Sequence, residues 1–284
     1  MEIAEIHNAA EFLKKAEGFL MEHEAENNLV LGQAMRLARG ETAGTVAVIF
    51  YVVEDEGRVL VAGMHNQPYR LVLSRGPGPA IAMIADWAAR KKAELAGVIG
   101  IPESVTMFTR AWSKLSRDKI KGGHRLRIYQ LEQLRPAAAV SGKFEPASMS
   151  ELDLLARWYT DFTRDVDQPI TGAERTMSER AIREGRLFVW KDPQPVSMAA
   201  WAGPTQRGVR VNMVYTPPEL RRRGYASAAV SALTKKLLDS GRKFVFLFTD
   251  LSNPTSNKMY QKMGYEAVCD INEVDFSRGG VSPP

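Results

Sequence analysis

Residues 221–226 of the sequence, Arg-Arg-Arg-Gly-Tyr-Ala, are of the types that bind phosphate. They follow the apolar, β-branched run 211–215 and the pair Pro217-Pro218, which ends a strand because proline has no N–H to donate. Beyond Gly224, apolar and small residues recur at helical spacing, so the segment forms the first turn of a predicted helix. Unpaired N–H groups and the helix dipole favour phosphate there, and glycine lets a ligand approach the backbone. With its arginines, the segment predicts a pyrophosphate site.

A second block, residues 253–265, reads Asn-Pro-Thr-Ser-Asn-Lys-Met-Tyr-Gln-Lys-Met-Gly-Tyr. Together the two blocks resemble the GNAT superfamily of CoA-dependent N-acyltransferases. The superfamily signatures are Gln/Arg-x-x-Gly-x-Gly/Ala and Asn-x-x-Ala/Ser-x-x-x-Tyr-x-x-x-Gly-Phe/Tyr. The first signature alone is weak, but its position after a central strand and the second block make the combination specific over residues 211–265. The whole chain resembles bacterial tandem-domain members of this superfamily.

The resemblance implies how the chain would bind acetyl-CoA. Two neighbouring parallel strands, 211–215 and 244–249, would splay apart, and the edge of the first would pair with the pantetheine arm. Amides of the loop would surround the pyrophosphate, and Asn253 would contact the pantetheine from the other side of the split. The implied cofactor-binding residues are Val214, Tyr215, Thr216, Arg221, Arg222, Arg223, Gly224, Tyr225, Ala226, Ser227, Asn253, Asn257 and Tyr260.

The resemblance also implies a general acid, Tyr260, which would protonate the departing CoA thiolate. An amine of pKa about 10 must lose a proton before it attacks, and the oxyanion that forms needs a donor such as the N–H of Val214 or Tyr215. No covalent enzyme intermediate is required, so the transfer is direct, within a ternary complex. Two acids, Glu219 and Asp250, could act as the general base through a water, and each is equally well explained as a solvated loop acid.

The acceptor amine is expected to bind at residues 158–175, with help from Trp201 and Met213. This region contains acids that could attract a cationic amine or could simply form a solvated face and loop: Asp161, Asp165, Asp167 and Glu174. The acceptor is a small molecule or an exposed amino group, and neither its identity nor the preferred acyl chain can be read from the residues.

Other interpretations use the same residues. Asn253 suits a turn ahead of Pro254, Tyr260 suits helix packing, and the arginines suit a solvated face. A non-catalytic acyl-CoA-binding or regulatory module would share the loop, but Tyr260 argues against it. A nucleic-acid-binding protein could use the run from Arg221 to Arg223. Elsewhere, however, basic and acidic residues alternate, and the net charge is only +5.

Hydrophobic periodicity divides the chain into two halves with the same order of elements: two helices, three strands, helix, strand, helix, strand. The repeated order indicates a structural duplication. The resemblance implies an α/β fold with a mixed sheet, made of tandem GNAT-like domains at residues 1–135 and 140–276 and followed by a loose tail at 277–284. Only the second domain keeps the phosphate loop, because the counterpart at 73–79 contains prolines, which lack amide hydrogens. The first half is therefore expected to be catalytically silent and to cover one side of the cleft.

The composition fits two soluble domains. Of 284 residues, 45% are hydrophobic and 25% are charged, which is ordinary for globular protein. No apolar run approaches the roughly 18 residues of a membrane span and no signal peptide is visible, so a cytoplasmic protein is expected. The lone Cys269 fits a reducing cytosol, and few histidines argue against a structural metal site. The state could be monomer or homodimer.

Overall fold

The computed structural model describes residues 1–41, 48–67, 69–135 and 138–277. The run Thr-Val-Ala-Val-Ile-Phe-Tyr-Val-Val at residues 45–53 predicts a strand, and the start of this strand lies outside the described residues. Residues 136–137 between the predicted domains and the tail after residue 277 also lie outside them. The first half contains β1 (Glu2–Ile6), α1 (Ala9–Met21), α2 (Asn28–Ala38), β2 (Val48–Asp55), β3 (Arg58–Asn66), β4 (Leu71–Leu73), α3 (Gly78–Arg90), β5 (Gly97–Gly100), α4 (Pro102–Leu115), β6 (Lys119–Gly122) and β7 (Arg125–Leu131).

The second half repeats the order of helices and long strands. It contains β8 (Lys143–Pro146), α5 (Leu152–Asp165), α6 (Glu174–Arg183), β9 (Leu187–Lys191), β10 (Pro195–Ala202), β11 (Gly208–Tyr215), α7 (Tyr225–Asp239), β12 (Phe244–Asp250), α8 (Pro254–Met263) and β13 (Glu266–Ser277). Short strands β1 and β6 were not predicted. In β6 the sequence Lys-Ile-Lys-Gly is exposed throughout, so no buried face marks it as a strand.

The strands form one mixed sheet in the order β1-β2-β3-β4-β5-β13-β7-β12-β11-β10-β9-β8, with β6 beside β13. The predicted α/β fold with a mixed sheet is therefore confirmed. The closing strands of the two halves are exchanged in this sheet, because β13 lies between β5 and β7, and β7 lies between β13 and β12. The first half thus supplies the strand that flanks β12. Residues 1–135 and 140–276 remain a predicted division of the chain.

Helices cover both faces of the strands in the second half. On one face, called the α7 face here, Val209 and Val211 of β11 pack in a core with α7 and α8. On the other, the α5 face, Met213 and Tyr215 of the same strand pack with Trp158 and other residues of α5 and α6. A site between β11 and β12 therefore has a different set of walls on each side of the sheet.

The two halves are bound to each other through the connections between their helix pairs. Glu24, between α1 and α2, is buried and accepts hydrogen bonds from the Thr205 hydroxyl at 2.7 Å, the Arg207 amide at 2.8 Å and the Arg207 Nε at 2.7 Å. In the opposite direction, Gln168 between α5 and α6 accepts from Arg70 Nη1 at 3.1 Å and donates to Glu273 at 3.3 Å. Each half therefore fixes the helix connection of the other.

Helix α2 also lies directly against the second half. A Cβ placed on Gly32 would come within 2.6 Å of the Cα of Gly203, the residue after β10, so only glycine fits at this contact. The positive end of α2, at Asn28, consequently lies close to β11.

Within the described residues, no helix combines the length and the apolar character that a membrane span needs. The same residues contain no group of three or more His, Cys, Asp or Glu side chains placed to hold a metal ion.

Candidate functional site

Strands β11 and β12 are parallel but separate over most of their length. They pair only from Gly208 with Phe244 to Arg210 with Phe246. Beyond this point β12 still pairs with β7 on its other edge, as far as Asp250 opposite Leu126. The facing edges of the two strands are thus free of ladder hydrogen bonds beyond Arg210, and an extended ligand could bind there as an added strand does.

A β-bulge interrupts β11 beside this split. Met198 of β10 pairs with Tyr215 and Ala200 pairs with Asn212, so two residues of β11, Met213 and Val214, lie opposite one residue of β10. Met213 has a φ of 51°, which is unusual for a residue with a side chain. Bulges re-aim backbone groups and are common next to active sites. The predicted oxyanion donors, the amides of Val214 and Tyr215, lie at this irregular point.

The predicted phosphate loop contains two residues with left-handed backbone conformations. Arg222 has a φ of 66° and Gly224 a φ of 87°, and α7 begins at Tyr225. Left-handed residues just before a helix turn successive N–H groups towards one side, which is how anion-binding loops are built. Ala226 and Ser227 follow in the first turn of α7, where larger side chains would narrow the entrance.

The three arginines of the loop are in different situations. Arg221 donates to Asp165 Oδ2 at 2.5 Å and to the carbonyl of Thr216 at 2.9 Å, and its guanidinium lies 5.8 Å from the centre of the Tyr215 ring. It therefore ties the loop to the end of α5. Arg222 and Arg223 are exposed. Next to them, the Tyr225 hydroxyl donates to Asp192 at 2.8 Å, which fixes its ring against the turn after β9.

Tyr260 lies on α8 and faces the core of the α7 face. It is only 6% exposed, and its ring is edge-on to that of Tyr265 at 5.8 Å. Burial alone raises the pKa of Tyr260 to about 12, and within the described part of the chain its hydroxyl has no hydrogen-bond partner. Tyr265, by contrast, shares a hydrogen bond of 2.7 Å with Thr234. Tyr260 therefore packs as a core residue and also keeps an unused, protonated hydroxyl.

The two asparagines of the second block have structural roles. Asn253 caps α8 by accepting from the Ser256 amide at 3.0 Å. Asn257 donates to the carbonyls of Asp250 at 2.8 Å and Asn253 at 2.7 Å and accepts from the Tyr129 hydroxyl at 3.2 Å. The amide of Asn257 is thus used in holding α8 to β12 and β7, and the predicted contacts of both asparagines with CoA remain predictions.

Of the two candidate bases, Glu219 is exposed in a turn before the loop. Asp250 accepts from the Ser252 amide at 2.6 Å and lies 3.2 Å from the Nδ1 of His124. Burial opposes the charged form of Asp250, but the hydrogen bonds from Ser252 and His124 outweigh it and lower the pKa of this carboxyl. A low pKa makes Asp250 a poor proton acceptor and a good partner for an imidazole.

His124 was not found from the sequence. It lies in the turn between β6 and β7 of the first half, with its Nε2 3.5 Å from Asp167 between α5 and α6. The ring therefore joins the end of β12 to the predicted acceptor region. Only Gly122-Gly123 before it hinted at a special turn, and no sequence signal connected it with an acid 126 positions away.

The residues of the predicted acceptor region lie on both faces of the sheet. Trp201 packs on the α7 face, opposite Met213 on the α5 face, because β10 alternates its side chains across the sheet. The acids are largely occupied: Asp161 pairs with Arg164 at 2.7 Å, and the buried Glu174 accepts from the Thr171 amide at 2.7 Å. A cavity of about 360 Å³ between α5 and α6 is lined by Asp153, Ala156, Arg157, Thr160, Gly172, Glu174 and Arg175.

Two polar residues of β11 were also missed. Arg210 and Asn212 alternate with Val209 and Val211, so they point away from the α7 face. Arg210 Nη1 donates to Asn28 Oδ1 at 2.7 Å, and burial lowers the pKa of Arg210 to about 10. The Oδ1 of Asn212 is buried without a partner among the described residues. The sequence signal that could have identified them is the presence of a charged and an amide residue inside an otherwise apolar strand.

Comparison with known proteins bears on the fold. The model of a family described as FR47-like protein matches residues 189–273, which contain the split, the loop and Tyr260. A search of curated proteins finds no match.

Several solved structures are similar over nearly the whole chain. An acetyltransferase from the GNAT family of Colwellia psychrerythraea is 12% identical, with a TM-score of 0.59 over 98% of this chain and 100% of its own. A GCN5-related N-acetyltransferase from Sphaerobacter thermophilus is 14% identical, with a TM-score of 0.62 over 99% and 98%. A tandem GNAT protein from the clavulanic acid biosynthesis pathway is 12% identical, with a TM-score of 0.59 over 99% and 100%.

At such low sequence identities the similarity establishes the fold but not the activity, which must be argued from the residues of the site. The chain has the tandem GNAT fold, and the resemblance to GNAT acetyltransferases indicated by the two sequence blocks is confirmed.

Proposed function

We propose that the chain is an acetyl-CoA-dependent N-acetyltransferase that moves an acetyl group directly to an amine. The observation that carries this proposal is the free split between β11 and β12, which ends at a left-handed glycine loop and the start of α7. Such a split can hold an extended chain, and such a loop can hold the phosphates attached to it. Acetyl-CoA combines both chemical features.

In this proposal the pantetheine arm pairs with the free edge formed by Val214, Tyr215 and Thr216. The pyrophosphate binds the amides of residues 222–227, and the exposed Arg222 and Arg223 supply charge. Arg221 acts indirectly, since Asp165 and Thr216 hold its guanidinium.

The reaction needs no covalent enzyme intermediate. The neutral amine attacks the thioester carbonyl, and the oxyanion accepts hydrogen bonds from the amides of Val214 or Tyr215 at the bulge. The intermediate then collapses to the amide, and the departing CoA sulfur takes the proton of Tyr260. Burial raises the pKa of Tyr260 to about 12, which keeps the hydroxyl protonated but makes it a weaker acid, so the role rests on a hydroxyl that is unpaired within the described residues and not on its acidity.

For the general base the structure favours His124, assisted by Asp250. In the tautomer that has Nδ1–H directed at the Asp250 carboxylate, Nε2 is the proton acceptor. The carboxylates of Asp250 and of the exposed Asp167, 3.5 Å from Nε2, then stabilise the imidazolium that forms. The amine proton reaches Nε2 through a water. Glu219 remains the alternative base, but its exposure gives it no partner to hold it at the split.

This assignment divides the work between the two halves. Residues 140–276 bind acetyl-CoA and supply Tyr260 and Asp250. Residues 1–135 bind no CoA, since Pro77 and Pro79 lack amide hydrogens. They nevertheless supply β7 and His124 to the site. The tail, residues 277–284, has no role in the proposal.

Isothermal titration calorimetry with acetyl-CoA, followed by a thiol-release assay across a panel of amines, tests the proposal. We expect one acetyl-CoA site per chain and amine-dependent release of CoA thiol. Absence of binding would rule the proposal out. Binding without transfer to any amine would instead identify a non-catalytic acyl-CoA-binding module, and salt-sensitive oligonucleotide binding that CoA does not compete would indicate a nucleic-acid-binding protein.

A further inference from the structure

Arg210 is a half-buried cation without a counter-charge among the described residues. A guanidinium has several N–H donors, and within the described residues the one hydrogen bond of this side chain goes to the neutral Asn28 Oδ1 at 2.7 Å. No Asp or Glu of the described residues forms an ion pair with it, and the stretches 42–47, 68, 136–137 and 278–284 contain no acidic side chain. A cation that protein packs around without a counter-charge is costly, so this guanidinium is a candidate partner for an anion supplied from outside.

The surroundings of Arg210 add positive potential. Its guanidinium lies against Asn28, the first residue of α2, where the helix dipole is positive. The ring of Phe248 lies 5.7 Å from the guanidinium, close enough for a cation–π contact. Although protein surrounds Arg210 closely enough to lower its pKa, part of the residue remains accessible. The arrangement suits an anion that enters from the cleft.

This anion is not part of CoA. Arg210 is the last residue of β11 that pairs with β12, so it lies at the closed end of the split. The phosphate loop follows the opposite end of β11 and leads into α7, on the other face of the sheet. The pyrophosphate and Arg210 are therefore separated by the length of the strand and by the sheet itself.

Asn212 lies two residues further along the same side of the strand. Its Oδ1 is buried and has no partner among the described residues, so it can accept an N–H from a ligand. Two residues span roughly 7 Å of strand, a distance that the long arginine side chain can shorten. The bulge with Met213 and Val214 comes immediately afterwards. Along β11 the order is thus a cation, an amide oxygen, and then the proposed oxyanion donors.

We propose that the acceptor is an amine that also carries a carboxylate, such as a short amino acid, with its carboxylate on Arg210 and its amino group beside Asn212. The carboxylate forms charge-assisted hydrogen bonds with the guanidinium. The amino group then lies between this anchor and the thioester held at the bulge, which is the position required for attack. This inference rests on the proposed acetyltransferase function and narrows its substrate class.

The first experiment compares matched acceptors with the full-length protein and acetyl-CoA: glycine against methylamine, and β-alanine against ethylamine. We expect kcat/KM to be on the order of tenfold to a hundredfold higher for the acceptor that has a carboxylate. Equal or better use of the amines without a carboxylate would overturn the inference and leave the acetyltransferase proposal intact. Failure to bind acetyl-CoA, measured by calorimetry, would instead contradict the acetyltransferase proposal.

Variants of Arg210 give a second, independent result. Arg210→Gln should lower kcat/KM for glycine to about that for methylamine, while Arg210→Lys should keep part of the preference because the charge remains. Arg183→Gln is the matched control, since Arg183 lies exposed on α6 and pairs with Glu179. A preference unchanged in Arg210→Gln would overturn the assignment.

A binding measurement avoids the need for turnover. With CoA present, N-acetylglycine should bind the wild-type protein, and N-methylacetamide, which lacks the carboxylate, should not. Arg210→Gln should lose the binding of N-acetylglycine but keep that of CoA. If Arg210→Gln does not fold, the test uses Arg210→Lys and the binding of N-acetylglycine and N-methylacetamide to the wild-type protein. Equal binding of these two compounds contradicts the proposal.

Discussion

His124 of the first half lies 3.2 Å from Asp250 at the end of β12 in the second half. The contact exists because β7, which follows His124, is inserted beside β12 in the shared sheet. Asp167, 3.5 Å from the other ring nitrogen, brings the helix connection of the acceptor side to the same imidazole. A half without a phosphate loop thereby contributes a titratable group to the site of its neighbour.

Replacing His124 by Gln should lower kcat/KM by about a hundredfold or more if the imidazole accepts the amine proton. Single-turnover rates of both proteins at one pH measure this effect, and calorimetry with acetyl-CoA shows whether cofactor affinity is kept. The matched control is His7→Gln, because His7 also lies near an acid, Glu5 at 3.1 Å, but far along the chain from the site. An unchanged rate of transfer with a lower melting temperature would leave His124 a structural role only.

Gly224→Ala should weaken acetyl-CoA binding by roughly tenfold to a hundredfold. The φ of 87° strains any residue with a side chain, and a Cβ would meet the Val140 Cγ2 at 3.0 Å, so the loop must shift. Gly241, with a φ of 93° and open space around it, provides the control, because Gly241→Ala has similar backbone strain at the other end of α7. Calorimetric titration of both variants with acetyl-CoA distinguishes the effect of backbone strain, which both share, from damage to the phosphate loop, which only Gly224→Ala causes. Equal affinities would mean that this loop does not hold the phosphates.

The sequence predicted the helices and long strands because each buries a periodic face, as α5 does with Leu155 and Trp158. It did not predict the exchange of β7 and β13, since two similar halves offer the same apolar strand edges to either partner. His124 was missed for the same reason, because its acid partner is brought close only by the exchange. Arg210 is a different case, because a charged residue in an apolar strand is visible in the sequence. The sequence did not show which face of the sheet its side chain lies on or which residues it contacts.

Glu24→Gln should destabilise the protein by roughly 1–3 kcal/mol at neutral pH, because a buried carboxylate that accepts several hydrogen bonds is neutralised. Burial favours the uncharged acid, but Thr205 and Arg207 outweigh it and lower the pKa of Glu24 in the folded state. The stabilisation is therefore fully present above the unfolded pKa of about 4.3 and is lost as pH falls through the lower, folded value. Melting temperatures at several pH values check this expectation.

The difference in melting temperature between wild type and Glu24→Gln should be largest near pH 7 and should shrink in acid. Glu17→Gln serves as control, because the one side-chain hydrogen bond that Glu17 makes with the described residues is exposed, to Gln206 at 3.5 Å. A difference that stays constant with pH would show that the shape of the side chain, and not its charge, joins the two halves.

Tyr260→Phe and Tyr265→Phe each remove a hydroxyl from a buried tyrosine of the same core. We expect one substitution to lower the rate of transfer and the other to lower the stability. Tyr265→Phe breaks a hydrogen bond of 2.7 Å to Thr234, so it should cost about 1 kcal/mol of stability and leave the transfer rate unchanged. Tyr260 has no such bond among the described residues, and its pKa of about 12 keeps it protonated across the usual assay range. Tyr260→Phe should therefore keep the stability and the CoA affinity but lower kcat by about a hundredfold. Single-turnover rates and calorimetry measure both effects, and an unchanged kcat in Tyr260→Phe would show that another donor, or water, protonates the thiolate.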